Sequence, residues 1–220
     1  MKQGIFISGI LLVSVMTGCN KDPLMITGSG TIISKVVPAD DFSSIELTNS
    51  ASVELIKGTD PEVKVQDYEN ILQYLEVKVV RDNLVIKTSP NIILFNSRAT
   101  VYATTPDDIS GLTLTGSGNI RIKSSFDNIS EVIIPGSGNI TAEQPGQSND
   151  LMVQIIGSGS LNFGLIQCNT VTCTISGSGD ATVWADNTLN VTITGSGNLY
   201  YYGNPTVNKT TTGSGNVIKL

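Results

Sequence analysis

Side chains able to do chemistry are sparse in this 220-residue chain. It has no histidine, and charged residues make up 15% of it. Cleaving a polysaccharide takes clustered carboxylates, or a carboxylate with Lys or Arg, on one exposed face. The candidates are Glu143, Asp180 and Asp186 with Arg121 and Lys123, and their spacing scatters them over different parts of a repeating unit. Cys168 and Cys173 lack the CxxC spacing of a redox or metal pair. They are expected as small buried hydrophobes, with a disulfide in an oxidising compartment as the alternative. No metal site, cofactor or catalytic residue is expected. A formal charge of −6 without a Lys/Arg cluster argues against nucleic acid as a partner. The remaining candidates are aromatic. Alternation turns Trp184, Tyr200 and Tyr202 outward and Tyr201 inward, so the first three form a candidate surface for sugar rings or a protein partner. The alternative is that a neighbouring loop or a self-contact between copies covers them.

These side chains hang on a repeat. Gly-Ser-Gly occurs seven times, at Gly28, Gly116, Gly136, Gly157, Gly177, Gly195 and Gly213, and the last six start 20, 21, 20, 18 and 18 residues apart. A period near twenty residues is the mark of a stacked architecture. Apolar residues alternate on both sides of each triplet: Leu112, Val132, Val153, Cys173 and Val191 four places before, and Ile120, Ile140, Leu161, Ala181 and Leu199 two places after. Two short strands meeting at a glycine corner, stacked coil on coil about 4.8 Å apart, make an all-β fold, a right-handed parallel β-helix of roughly twenty-residue coils. The glycines are expected to supply positive φ and close backbone approach at the corner. Asn119, Asn139, Ser160, Asp180, Asn198 and Asn216 follow the triplets and are expected as a structural polar ladder. Lys209 and Thr210 to Thr212 depart from the pattern, as a polar terminal coil would.

The first triplet, flanked by Leu24, Ile26 and Ile32, is expected to begin the coils, and Asn49-Ser50-Ala51 is read as a degenerate triplet. Residues 27–58 thus form first coils, 60–105 an antiparallel-strand section outside the repeat, and 106–220 the regular repeats. Within the middle section Arg81-Asp82-Asn83 is hairpin-turn chemistry, and 67–74 is a helical turn or a loop.

Ahead of the domain, Lys2 and an apolar run from Ile5 to Val15 form a secretory leader, too short to span a bilayer comfortably. Met16-Thr17-Gly18-Cys19 resembles a bacterial lipobox, which implies a leader over 1–18 and a lipidated Cys19, with 19–26 as anchor and tether. Asn20-Lys21-Asp22 resembles the surface-export signal of some Gram-negative lipoproteins. The expected address is the outer membrane, facing the periplasm or the cell surface.

Phe42-Ser-Ser-Ile45, Asp67-Tyr-Glu-Asn-Ile71 with Leu84-Val-Ile86, and Gly111-Leu-Thr-Leu-Thr-Gly-Ser-Gly-Asn-Ile120 resemble the family called putative auto-transporter adhesin, head GIN domain. The resemblance spans 27–220 and implies an exported β-helical domain, with no binding residues to carry over. The functional expectation is a non-enzymatic envelope lipoprotein, an adhesin or binding scaffold with a glycan or protein ligand. A carbohydrate-active β-helix enzyme and an envelope sensor or assembly scaffold are the alternatives. Self-association into a homo-oligomer is a further expectation, from outward faces rich in Ser, Thr and Asn.

Overall fold

The computed structural model describes residues 22–220. The leader and Cys19 lie outside the described residues. In chain order the strands are β1 (Leu24–Thr27), β2 (Ile32–Val37), β3 (Ser44–Leu47), β4 (Ser52–Lys57) and β5 (Glu62–Tyr68). A single helical turn, α1 (Glu69–Leu72), precedes β6 (Leu75–Val80), β7 (Asn83–Thr88), β8 (Ile92–Phe95) and β9 (Thr100–Thr105). Then come β10 (Gly111–Leu114), β11 (Asn119–Ile122), β12 (Glu131–Ile134), β13 (Asn139–Ala142), β14 (Gly146–Ile155) and β15 (Ser160–Ile175). The chain ends on β16 (Ala181–Ile193), β17 (Leu199–Tyr202), β18 (Thr206–Thr211) and β19 (Val217–Lys219). The fold is all-β, with one 17-stranded sheet of mixed strand orientation. That sheet curls, nearly closed and barrel-like, around a shared apolar interior. Among the described residues no helix is long and apolar enough to cross a membrane.

Two parallel rows organise the sheet. The first runs β7, β3, β10, β12, β14, β15, β16, β18. Its register aligns Leu84, Ile45, Leu112, Val132, Val153, Cys173 and Val191 as one buried apolar row. The second runs β9, β4, β11, β13, β15, β16, β17, β19 and aligns Val101, Val53, Ile120, Ile140, Leu161, Ala181 and Leu199. Period-two alternation puts each of these inward, where it packs on its equivalents in the tiers above and below. The first row terminates on exposed Lys209 opposite Val191, so the last tier carries a charge where its predecessors carry a hydrophobe.

The glycine corner works differently from expectation. None of the stacked triplets has a glycine at positive φ; among the described residues only Gly30 and Gly203 do. Close approach is what requires them. A Cβ built on Gly116, Gly136, Gly157, Gly177, Gly195 or Gly213 would fall less than 3.0 Å from a backbone carbonyl oxygen of the preceding tier, as it would on the second glycine of each stacked triplet. The same carbonyls accept the next tier's amides: Gly157 O takes Ser178 N–H at 3.1 Å and Gly179 N–H at 3.3 Å. Asn49-Ser50-Ala51 occupies this corner in its own tier, its Asn49 and Ala51 carbonyls lying under Gly116 and Gly118.

The first triplet does not belong to the stack. β1 pairs with β8 in a separate two-stranded sheet, and Leu24 and Ile32 are exposed rather than inward. Gly30 has φ +89 and open space around it. The section 60–105 also departs from expectation. Its antiparallel pairings are present, β6 with β7 through a turn at Arg81 (φ 51) and Asp82 (φ 60), and β5 with β2 and β9. Yet β7 and β9 also form the outermost tier of both parallel rows, seated on β3 and β4. Residues 67–74 divide among the end of β5, α1 and a turn at Gln73 and Tyr74. Buried Asp67 ties them to the loop before β9, accepting from Ser97 Oγ at 2.6 Å and Arg98 N–H at 2.9 Å.

Both described cysteines are buried free thiols. Burial pushes the Cys173 thiol from an ordinary 9.0 up to about 12. Burial first, then the charges of Asp186 and Asp150, raises Cys168 likewise to about 12.

Two outcomes test this account. Gly179→Ala should cost about 3 kcal/mol or more by overpacking and Gly30→Ala about 1–2 kcal/mol from its φ alone. Gly111→Ala, whose Cβ would meet Ser44 Cβ at an ordinary 3.6 Å, should be neutral or slightly stabilising; urea unfolding of the three variants measures the order. For Cys173, the unfolded thiol ionises before the folded one, so its contribution is whole below about pH 9 and is lost as pH rises towards 12. The stability lost between about pH 8.5 and 10.5 should be smaller in Cys173→Ala than in the parent by about 2 kcal/mol.

Candidate functional site

Each tier has a third side, after the second strand and before the next first strand. Here the repeat is least regular. Opposite β16, β15 carries register shifts between Phe163 and Gln167 and again between Cys168 and Thr170. The first shift leaves Gly164, Leu165 and Ile166 without partners in β16 and brings Gln167 level with Trp184. Gln147 is level with Gln167, and Trp184 with Tyr202. The result is one outward row, Gln147, Gln167, Trp184, Tyr202, with one side chain per tier.

The aromatic end of the row is tightly arranged. The Trp184 and Tyr202 ring centroids lie 5.7 Å apart with planes tilted by 31°, within the range in which ring pairs attract. The Trp184 indole N–H donates to Asp186 Oδ1 at 2.8 Å, which fixes the ring's orientation and satisfies its polar edge. Tyr202 extends over Gly164, where an added Cβ would come within 2.9 Å of its ring. Trp184 and Tyr200 are half-buried and Tyr202 is 37% exposed. Tyr200 stands in the adjacent row, between Thr182 and Ile218. Tyr201 packs, half-buried, against the core.

Beyond the aromatics the row enters an open trough of about 440 Å³, whose lining includes Asp127, Gln147, Asn149, Gln167, Asn169 and Asp186. One wall is an amide ladder. Asn169 Nδ2 donates to Asn149 Oδ1 at 3.3 Å, and Asn187 Nδ2 donates to Asn169 Oδ1. Asp127 accepts the Gln147 backbone N–H at 2.9 Å. The side-chain amides of Gln147 and Gln167 enter no hydrogen bond among the described residues, and both residues are exposed. Sequence reasoning passed over this wall, although Asn149, Asn169 and Asn187 are spaced by 20 and 18, in step with the triplets.

The corner residues behave otherwise. Asn139 Nδ2 donates to Asn119 Oδ1 at 3.1 Å, and Asn139 Oδ1 accepts Ser160 N–H at 3.2 Å. Asp180 Oδ1 accepts Asn198 N–H at 2.6 Å, and Asn198 Oδ1 accepts Asn216 N–H at 3.0 Å. Their polar atoms are engaged between tiers. The acidic candidates stay apart: Glu143 pairs with Lys123 at 2.7 Å, Asp180 holds Asn198 and Asp186 holds Trp184. Arg121 projects from β11 among exposed residues. Among the described residues no His, Cys, Asp and Glu gather in a group able to hold a metal ion.

The model of the family described as putative auto-transporter adhesin, head GIN domain, matches residues 41–205. The chain belongs to this family. No curated protein matches it. Among solved structures, a putative adhesin from Bacteroides fragilis aligns with a TM-score of 0.69 at 18% identity, covering 89% of this chain and 100% of that one. A putative lipid binding protein from Parabacteroides distasonis aligns at 0.57 and 23% identity, over 89% and 99% of the two chains. A putative adhesin from the same species aligns at 0.53 and 19%, over 89% and 100%. Identities this low establish a shared fold and nothing about a ligand.

If the two rings support one another, a Trp184→Ala and Tyr202→Ala double-mutant cycle should return a coupling energy of about 0.5–1.5 kcal/mol in chemical unfolding followed by circular dichroism.

Proposed function

We propose that this protein is a non-enzymatic cell-envelope lipoprotein, an adhesin-type binding scaffold whose ligand surface comprises Trp184, Tyr200 and Tyr202. In this proposal residues 1–18 are the leader, Cys19 carries the lipid, 19–26 form the tether, and 27–220 are the binding domain. The lipid holds the domain at the outer membrane, because acyl chains contribute about 0.8 kcal/mol per buried methylene. The two parallel rows and the third side are the three faces of a right-handed parallel β-helix, the hand favoured for L-residue strands and their crossovers. Membership of an adhesin-named family supports binding over catalysis, as does the separate engagement of Glu143, Asp180 and Asp186.

One observation carries the reading. Trp184 has its indole N–H held internally by Asp186 and a ring packed on Tyr202, next to a trough whose lining includes Asp186, Gln167 and the amides of Asn149 and Asn169. Aromatic rings with their polar edges already satisfied present flat apolar area at small conformational cost, which suits them to recognition.

The test is binding of the soluble chain beginning after Cys19 to a panel of glycans and matrix proteins, beside the triple variant Trp184→Ala, Tyr200→Ala, Tyr202→Ala. Binding by the parent, weakened at least about tenfold in a variant that keeps its far-ultraviolet spectrum, is the expected result. Binding that survives the substitutions moves the site elsewhere. Absence of binding to every member of the panel removes the adhesin reading.

A further inference from the structure

We propose that the ligand is an uncharged glycan chain lying along the stacking axis, on the strip Gln147, Gln167, Trp184, Tyr202. This rests on the binding reading above and adds the ligand's chemical class, its direction and two residues that touch it.

The direction follows from the register. The four side chains are successive partners across parallel strands, so each is displaced from the last by one strand spacing, about 4.8 Å. From Gln147 to Tyr202 the strip covers three such steps, about 14 Å. The trough beside it crosses three of the same tiers, at Gln147, Gln167 and Asp186, and one more at Asp127. Only an extended ligand can meet every position of such a strip.

The class follows from the groups on offer. Gln147 and Gln167 are exposed, and each amide has two donor hydrogens and an acceptor oxygen uncommitted within the described chain. Sugar hydroxyls both donate and accept, so they match a surface that alternates the two. The faces of pyranose rings carry C–H groups that pack on aromatic rings, which Trp184 and Tyr202 supply at the end of the strip. An extended peptide is the other ligand that donates and accepts at regular intervals. It docks by adding to an open strand edge, whereas this strip lies on a sheet face in which Gln167 and Trp184 have a paired strand on each side and the Gln147 backbone is held by Gln167 on one side and by Asp127 and Asn128 on the other.

Charge sets the subclass. Asp127 and Asp186 line the trough, Asp150 accepts from Asn149, and no Lys or Arg is among the described residues lining this trough or the adjoining one around Ser125 and Leu165. A uronate, sulfate or phosphate would enter facing carboxylates with no counter-charge, and like-charge juxtaposition is a strong discriminator against a partner. An uncharged glycan bears no such penalty.

The experiment uses the full-length protein in mild detergent, with fluorescence of Trp184, the single tryptophan, and calorimetry as readouts. The probes are three neutral series (cello-, manno- and chito-oligosaccharides of increasing length), two anionic ones (oligogalacturonate and heparin fragments), and fibronectin and collagen. At least one neutral series should shift Trp184 emission, bind more tightly as the chain lengthens until the strip is filled, and change little in affinity from low to high ionic strength. Gln147→Ala with Gln167→Ala, two exposed substitutions, should weaken that binding about tenfold while leaving the unfolding midpoint in place. Anionic fragments should not bind. Preference for an anionic series, or neutral binding indifferent to the glutamine substitutions, overturns the proposal. Binding of a matrix protein that needs Trp184 and Tyr202, with no glycan bound, overturns it and leaves the adhesin reading standing. Silence across the whole panel overturns both.

Discussion

The structure depends on how closely one backbone passes another at the Gly-Ser-Gly corner. A carbonyl of each tier stands where a side chain of the next would begin, so a residue with a Cβ cannot occupy Gly177 or Gly179 without moving the tier below. That approach lets Gly157 O accept two amides of the next corner, and it fixes the height of each tier. With the height fixed, the flanking strands fall into register. Register stacks Val153 on Val132 and Leu161 on Ile140, and burial of these rows supplies the driving force for the whole stack. Seen this way, a glycine carrying no apolar surface is the precondition for burying the residues that do.

Stacking by register leaves two ends, and the chain treats them differently. At one end β7 and β9 are covered by antiparallel β6 and β5, and β5 by β2, so the parallel rows pass into ordinary hairpin pairing. At the other, β18 and β19 form the last tier, and Lys209 stands where the apolar row would continue. A strand edge that keeps its hydrophobic row invites another copy; a lysine on that row makes the pairing costly. Lys209 is therefore a stop signal on the first row, while the second row ends on half-buried Val217 opposite Leu199.

Much of this was legible because a fixed period lets one tier interpret another. Leu112, Val132, Val153, Cys173 and Val191 share one offset from their triplets, and they share one buried row. Where the period misled, the cause was local. Gly28-Ser29-Gly30 has the letters of the corner but stands outside the stack: Gly28 closes on the Asn96 carbonyl beyond β8, and Gly30 has a positive φ with open space around it, a different use of the same residue. β7 and β9 were illegible as stack strands because no Gly-Ser-Gly joins them. The link between them is instead an excursion through β8, paired with β1, and it carries the Ser97 and Arg98 contacts to buried Asp67. The tier they build also lies out of chain order, beyond β3 and β4 rather than between those strands and β10 and β11. Sequence proximity gives no hint of such a step. The Asn149, Asn169, Asn187 wall was missed for the opposite reason: it keeps the period, but on the side of the tier farthest from the triplets used as the frame.

That side is where an accurate repeat and the proposed binding surface come into conflict. At the corner, equal spacing brings Asn139 onto Asn119 and Asn216 onto Asn198, and their amides are consumed in bonds between tiers. A ladder so well matched has little left to offer a ligand. On the third side the tiers differ in length, and the shift between Phe163 and Gln167 breaks the match. Gln167 then meets Trp184 rather than another amide, Gly164 opens a seat for Tyr202, and two glutamine amides stay uncommitted. Regularity at the corner holds the tiers at constant height, and irregularity opposite it frees the groups that a ligand can use. Because the two requirements fall on different sides of one tier, the chain meets both without weakening the stack.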